Sequence, residues 1–187
     1  GIEKFLITNV DNILSNLLDY DFIGKSKDLE LAVKSVEKVE PNEKVGLFVK
    51  NEDDKLEVIE YTEISVELSN KRDQDGLYLN ESNIMSQIVD WEFIKKVANM
   101  NLPYHEQYKS KDGYEFIKRE RFIFDAFPKA DTFEVFRVDR TDEFAPIKGA
   151  EGKDSPDSAT LMYLRYLRKK NKFTAEDLGL TPELLQQ

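Results

Sequence analysis

Three short β-rich runs most constrain what this chain can fold into: LAVKSVEKV (31–39), KVGLFVK (44–50) and KLEVIEY (55–61). Each is rich in β-branched or aromatic residues, and breakers separate them, Pro41-Asn42 after the first and Asn51-Glu52-Asp53-Asp54 after the second. Such close spacing predicts an antiparallel meander. Further strand patterns lie at 3–10, at Leu77–Leu79 after the Asp75-Gly76 turn, and at TFEVFRV (132–138). Helical signals are interleaved with them. Ile13, Leu14, Leu17 and Leu18 recur at helical spacing, and Thr62 opens a short helix to Asn70. DWEFIKKVA (90–98) reads as a helix capped by Asp90, and KRERFIFDAF (118–127) as one ending near Pro128. DSATLMYLRYLRKK (157–170) is amphipathic, with basic residues at the end where the helix dipole favours them. Lys109–Gly113 and most of 141–156 read as loop, and Thr174 and Thr181 mark two helix starts in the tail. Strands and helices mixed along the whole length place the chain in the α/β or α+β class, as one unit.

Composition narrows the function classes. The 187 residues are 40% hydrophobic and 34% charged, a soluble globular balance rather than a disordered one. A formal charge of −10 disfavours phosphate-tracking nucleic-acid binding. No apolar run approaches the ~18 residues that a membrane span needs. GIEKFLI has no basic stretch followed by an apolar one, so it does not read as a signal peptide. The absence of cysteine removes disulfides, thiolate nucleophiles and the usual structural zinc. Together these favour a cytoplasmic protein.

Few residues declare chemistry by themselves. Asp11, where the first apolar run gives out, suits a hard cation such as Mg²⁺, which binds through one or two carboxylates plus substrate phosphates. On the residues alone, the more ordinary reading of Asp11 is the N-cap of a helix starting near Asn12 or Ile13. His105 is the sole histidine and takes a structural reading; Trp91 reads as helix packing. Glu60-Tyr61 ends a strand, Asn83 reads as a turn residue, and Phe122, Phe124 and Phe127 read as core. Lys118 and Lys148 are two lysines among many. No GxSxG, HExxH, CxxC or Walker-type loop occurs.

Taken in order, however, several strings resemble the eukaryotic UDP-N-acetylglucosamine pyrophosphorylases, a family of UDP-sugar uridylyltransferases. They are VDNIL (10–14), VEKVEPNEKVGLF (36–48), VIEYTEIS (58–65), SNI (82–84), ERFIFDAF (120–127) and DEFAPIKGAEGKDSP (142–156). The resemblance implies part of a Rossmann-like, GT-A-like nucleotidyltransferase fold, a mixed sheet flanked by helices. It implies that residues 1–172 are the sugar-binding C-terminal part of the catalytic domain, with 173–187 a tail. It implies the reaction of UTP with N-acetylglucosamine 1-phosphate to give UDP-N-acetylglucosamine and pyrophosphate, with Mg²⁺ as cofactor.

Roles follow position by position from the same resemblance. Asp11 is then the metal carboxylate, and Asn12 lies beside it on the substrate side. Gly46 lets the backbone approach the N-acetyl group. Glu60, with Tyr61 beside it, accepts sugar hydroxyls, and Asn83 reads the sugar. Phe122 and Phe124 form the wall on the acetamido side, and Lys118 and Lys148 hold phosphate oxygens. The family's LxGGxGTRLG-like phosphate loop is not among these residues, so the missing N-terminal part of the domain is an expected partner and the isolated chain is expected to turn over little or nothing. Two other readings compete: a non-catalytic sugar-nucleotide binding module, and a uridylyltransferase for another hexose 1-phosphate.

Overall fold

The computed structural model describes residues 1–170. In chain order the first elements are β1 (Lys4–Thr8), α1 (Tyr20–Lys25), β2 (Leu31–Glu37), β3 (Leu47–Lys50), β4 (Leu56–Ile59) and α2 (Val66–Asn70). A small ribbon of β5 (Arg72–Asp73) and β6 (Gly76–Leu77) precedes the long β7 (Glu81–Asp90) and α3 (Trp91–Val97). Then come β8 (His105–Lys111), β9 (Tyr114–Glu120), a 3-10 turn (Ile123–Lys129), β10 (Phe133–Arg137), α4 (Arg140–Glu143) and α5 (Pro156–Lys169).

The sheet is mixed, with strand order β10-β2-β7-β3-β4 and β1 also paired to β7. Only β10 and β2 run parallel. The meander expected over 31–61 is therefore corrected: only β3 and β4 form a hairpin, and β2 pairs instead with β7 and β10. The reason is burial. β2 is covered on both faces along all but its last residue, so it needs a neighbour on each edge and cannot lie at a meander's end. Leu31 and Val33 pack into the main core with Phe48, Leu56, Val89, Phe93 and Phe127. Ala32 faces the opposite side with Phe22 and Ile88.

Lys34 lies on that second face, 1% exposed, and its ammonium meets Asp19 and Glu143, each at 2.6 Å. Burial raises the Glu143 carboxyl above its ordinary range, against the opposing pull of Lys34. This pairing ties β2, the approach to α1 and the end of α4 into one unit.

Other boundaries shift for local reasons. The helical spacing of 13–18 forms no helix, because only Leu14 of those apolar residues is buried while Ile13, Leu17 and Leu18 face solvent. The helix starts later, at Tyr20, with Asp19 accepting the Phe22 N–H. Ser65 rather than Thr62 caps α2, and Asp90 caps α3 as expected. Residues 118–127 are not a helix: β9 runs to Glu120, and Pro128 lies in the 3-10 turn that follows. The 109–113 loop belongs to the β8–β9 hairpin, whose turn residues Asp112 and Gly113 both have positive φ, 52° and 81°, as a type I′ turn requires. α5 is closed by a capping box between Ser155 and Ser158. The proposed tail helices lie outside the described residues.

Candidate active site

β7 lays the floor of the site. Its far edge is shared: β1 pairs with it along Ser86–Asp90, while β3 pairs with it at Ser82. Between these contacts the pairing with β2 slips, and Met85 takes a positive φ of 53°. An apolar side chain in that region is strained, by about 1–3 kcal/mol, and such bulges re-aim side chains beside functional sites. The Asn83 side chain stabilises the bulge by accepting the Met85 N–H at 2.8 Å. Its own N–H donates to the Gly46 carbonyl at 2.8 Å. Asn83 is therefore no turn residue but a strand residue; its amide NH₂ meets Met85 Sδ at 3.4 Å and lines a cleft of about 520 Å³, a size usual for small-molecule sites.

One wall comes from β3 and β4. Gly46 approaches the sheet so closely that a Cβ there would sit 2.9 Å from Glu60 Oε1 and 3.0 Å from Val58 Cγ1. The nearest requirement for glycine is thus room for the Glu60 carboxylate. Burial pushes the Glu60 carboxyl above its ordinary range and the charge of Glu63 pushes the same way, while His105 and Lys148 oppose. Among the described residues the Glu60 carboxylate accepts no hydrogen bond, so a partly desolvated acceptor is left facing the cleft.

The facing wall is aromatic. Phe122 stacks on Phe124 at 4.7 Å, and the His105 ring lies 4.5 Å from Phe122 on its other side. His105 is fixed by Asp125, 2.9 Å from Nε2, with Glu63 3.7 Å from Nδ1. Its structural reading gains content: it links the foot of the β8–β9 hairpin to the 3-10 turn and to the loop carrying Glu60. Phe124 is both core and wall, 5% exposed and packed on Phe127.

At the mouth stand the charged groups. No helix begins at Asn12, which removes the capping reading of Asp11. Asp11 lies three residues past the end of β1, in a loop. Asn12 is buried, and both ends of its amide are used within the chain: it donates to Glu143 O at 2.8 Å and accepts from Ala145 N at 2.8 Å and Leu14 N at 3.3 Å. Those bonds, with Ile147 N–H donating to Asp11 O at 2.8 Å, lace the Asp11 loop to the segment carrying Lys148. Asn12 therefore orients its neighbours. Lys148 donates to Lys44 O at 3.2 Å, and Lys118, on β9, pairs with Glu120 at 2.7 Å.

All ten residues singled out from the sequence line this one cleft: Asp11, Asn12, Gly46, Glu60, Tyr61, Asn83, Lys118, Phe122, Phe124 and Lys148. Sequence reasoning missed Met85 and Lys44, which also line it, and the His105–Asp125 support behind Phe122. Lys44 could have been found beside Gly46; nothing in the sequence marks Met85. The Asp11 carboxylate has no hydrogen-bond partner among the described residues, and no group of three or more His, Cys, Asp or Glu there could hold a metal alone. One free carboxylate fits a cation that takes its other ligands from phosphates and water, as Mg²⁺ does.

The sequence profile of the UTP–glucose-1-phosphate uridylyltransferase family matches residues 1–176. The UDP-N-acetylglucosamine pyrophosphorylase of Saccharomyces cerevisiae is 38% identical over 147 residues, 68% of this chain and 30% of that protein. UDP-N-acetylglucosamine diphosphorylase 2 of Arabidopsis thaliana is 36% identical over 150 residues, 74% of this chain and 30% of that protein. The crystal structure of the Trypanosoma brucei uridine diphosphate N-acetylglucosamine pyrophosphorylase, in complex with an inhibitor, superposes with a TM-score of 0.77 at 31% identity, over 88% of this chain and 35% of that one. The chain thus spans about a third of the length of the relatives it matches. The mixed sheet flanked by helices is that of these nucleotidyltransferases, and the chain belongs to the UTP–glucose-1-phosphate uridylyltransferase family.

Proposed function

We propose that this chain supplies the sugar and metal side of a uridylyltransferase site that makes UDP-N-acetylglucosamine and pyrophosphate from UTP and N-acetylglucosamine 1-phosphate. The observation that carries the reading is the convergence of ten residues, drawn from separate segments of the chain, on one cleft. The names of the relatives point to the same product.

In this reading Glu60 accepts hydrogen bonds from sugar hydroxyls, and its partial desolvation strengthens them. The Asn83 NH₂, which has a second N–H besides the one on the Met85 sulfur, donates to a sugar oxygen, and its carbonyl oxygen is committed to the Met85 N–H. Phe122 and Phe124 offer an apolar face to the acetamido methyl. Lys118 and Lys148 neutralise phosphate oxygens. A phosphate oxygen of the sugar 1-phosphate attacks the α-phosphorus of UTP in line, and pyrophosphate leaves. Such a transfer needs position and charge more than covalent help from the protein. Asp11 would hold Mg²⁺, which would supply charge neutralisation across the phosphates.

The 187 residues contain no glycine-rich phosphate loop. The chain alone is expected to release little or no pyrophosphate from UTP and N-acetylglucosamine 1-phosphate. Mixed with a polypeptide of a relative that carries that loop, it is expected to regain activity. Full turnover by the chain alone would contradict the need for the loop. A mixture that assembles yet stays inactive would favour a binding module instead.

A further inference from the structure

A second cleft, of about 610 Å³, lies behind the Glu60 turn, between the loop after β2 and α2. Tyr61 borders both clefts. Into this one projects Lys38, from the VEKVEPNEK stretch whose glycine and lysine neighbours serve the first cleft. Lys38 is 3% exposed. Its backbone N–H donates to Asn80 O at 2.9 Å, but among the described residues its ammonium has neither a hydrogen bond nor an ion pair.

The carboxylates around it are already engaged. Glu43, 7% exposed, pairs with Arg140 and accepts the Val39 N–H at 3.3 Å. Glu40 pairs with Lys153 at 3.4 Å. Lys38 and Arg140 thus face the single charge of Glu43, and one positive charge is left over. Burial lowers the Lys38 pKa, with Glu43 opposing. The Lys38 side chain is buried along its length and its ammonium meets solvent only in this cleft; so narrow a contact with water solvates a cation poorly, and a charged acceptor would supply the missing partner.

We propose that this cleft is a second ligand site, taking a small organic monoanion whose carboxylate meets Lys38 and whose apolar body lies against Ile64 and Val66. One surplus cation matches one negative charge. A polyphosphate would bring more charge than the cleft neutralises, next to Glu40 and Glu43. The Asn42 amide is a further donor on the lining. The site stands independently of the transferase reading, since none of its residues except Tyr61 lines the first cleft.

The test is a titration of the ¹⁵N-labelled 187-residue chain with benzoate and, separately, with inorganic phosphate, followed by amide shifts. Benzoate should shift amides of 39–43 and 64–70 saturably, and phosphate should shift them less. K38M should weaken benzoate by roughly tenfold or more, the scale of one lost hydrogen bond to a charged group. K118M, which alters the first cleft alone, should leave benzoate binding unchanged. Absence of a saturable shift, shifts confined to the first cleft, a folded K38M that binds like wild type, or phosphate binding without benzoate binding would each overturn the proposal. Should K38M not fold, the location of the wild-type shifts decides.

Discussion

The two sides of the first cleft are built to different standards. Gly46, Glu60 and Asn83 sit on or beside strands of a sheet whose central members are buried on both faces. Lys118 sits on the β8–β9 hairpin, whose residues are nearly all exposed, including Tyr108 at 82% and Tyr114 at 76%. The sheet side holds its ligand-facing groups through the same contacts that hold the fold. The hairpin side is anchored at its foot, by His105 on Asp125, and otherwise owes the fold little. Damage should therefore read out as lost stability on the sheet side and as lost ligand affinity on the hairpin side.

The largest effect is expected at Lys34. Lys34→Met would strand the buried Glu143 and the Asp19 carboxylate, and should cost about 3–5 kcal/mol in denaturant unfolding. Gly46→Ala comes next. Its methyl would press on Glu60 Oε1 and on the branched Val58, and overpacking of this kind destabilises by about 1–3 kcal/mol. A Gly46→Ala chain as stable as wild type would break the distinction between the two sides. Lys118→Ala should change stability by no more than about 0.5 kcal/mol, while weakening a phosphorylated sugar roughly tenfold. A loss of stability there comparable to Gly46→Ala would show the hairpin to be structural after all.

The smallest effect is a pH dependence at Glu60. Its carboxyl titrates above the ordinary range in the fold, so ionising it opposes folding. The stability it contributes is complete below the unfolded carboxylate range and is lost as pH rises through the folded pKa. Glu60→Gln should accordingly raise the melting temperature near pH 7, and the gain should vanish as pH falls below the unfolded value near 4.5. A gain that persists in acid would remove burial of charge as the cause.

The elements with regular apolar patterns were legible in the sequence: α3 with Asp90, β10 and α5 lie where spacing and caps place them. The central strand β7 was not, because Ser82, Ser86 and Gln87 are buried in it and interrupt any apolar alternation. Once β7 is hidden, β2 and β3 look like neighbours, and a meander follows. The β8–β9 hairpin carried its signal in Asp112-Gly113, but its exposed polar strands lack the alternation that would confirm it. Lys118, Arg119 and Glu120, good helix formers, drew the same stretch towards a helix. The cleft itself was invisible to spacing, since its residues are contributed by separate segments. Only the ordered family strings brought them together, and Asn12 shows the limit of that route. Its amide is spent holding the Asp11 and Lys148 loops together.

The proposed function requires this cleft to prefer an N-acetylated sugar nucleotide. Titrating the 187-residue chain with UDP-N-acetylglucosamine and with UDP-glucose tests it most directly, with amide shifts of Gly46, Asn83 and Phe122 as the readout. Saturable shifts at these positions, with the N-acetylated ligand binding more tightly, are expected. Equal affinity for the two ligands, or shifts that bypass Gly46 and Phe122, would contradict it.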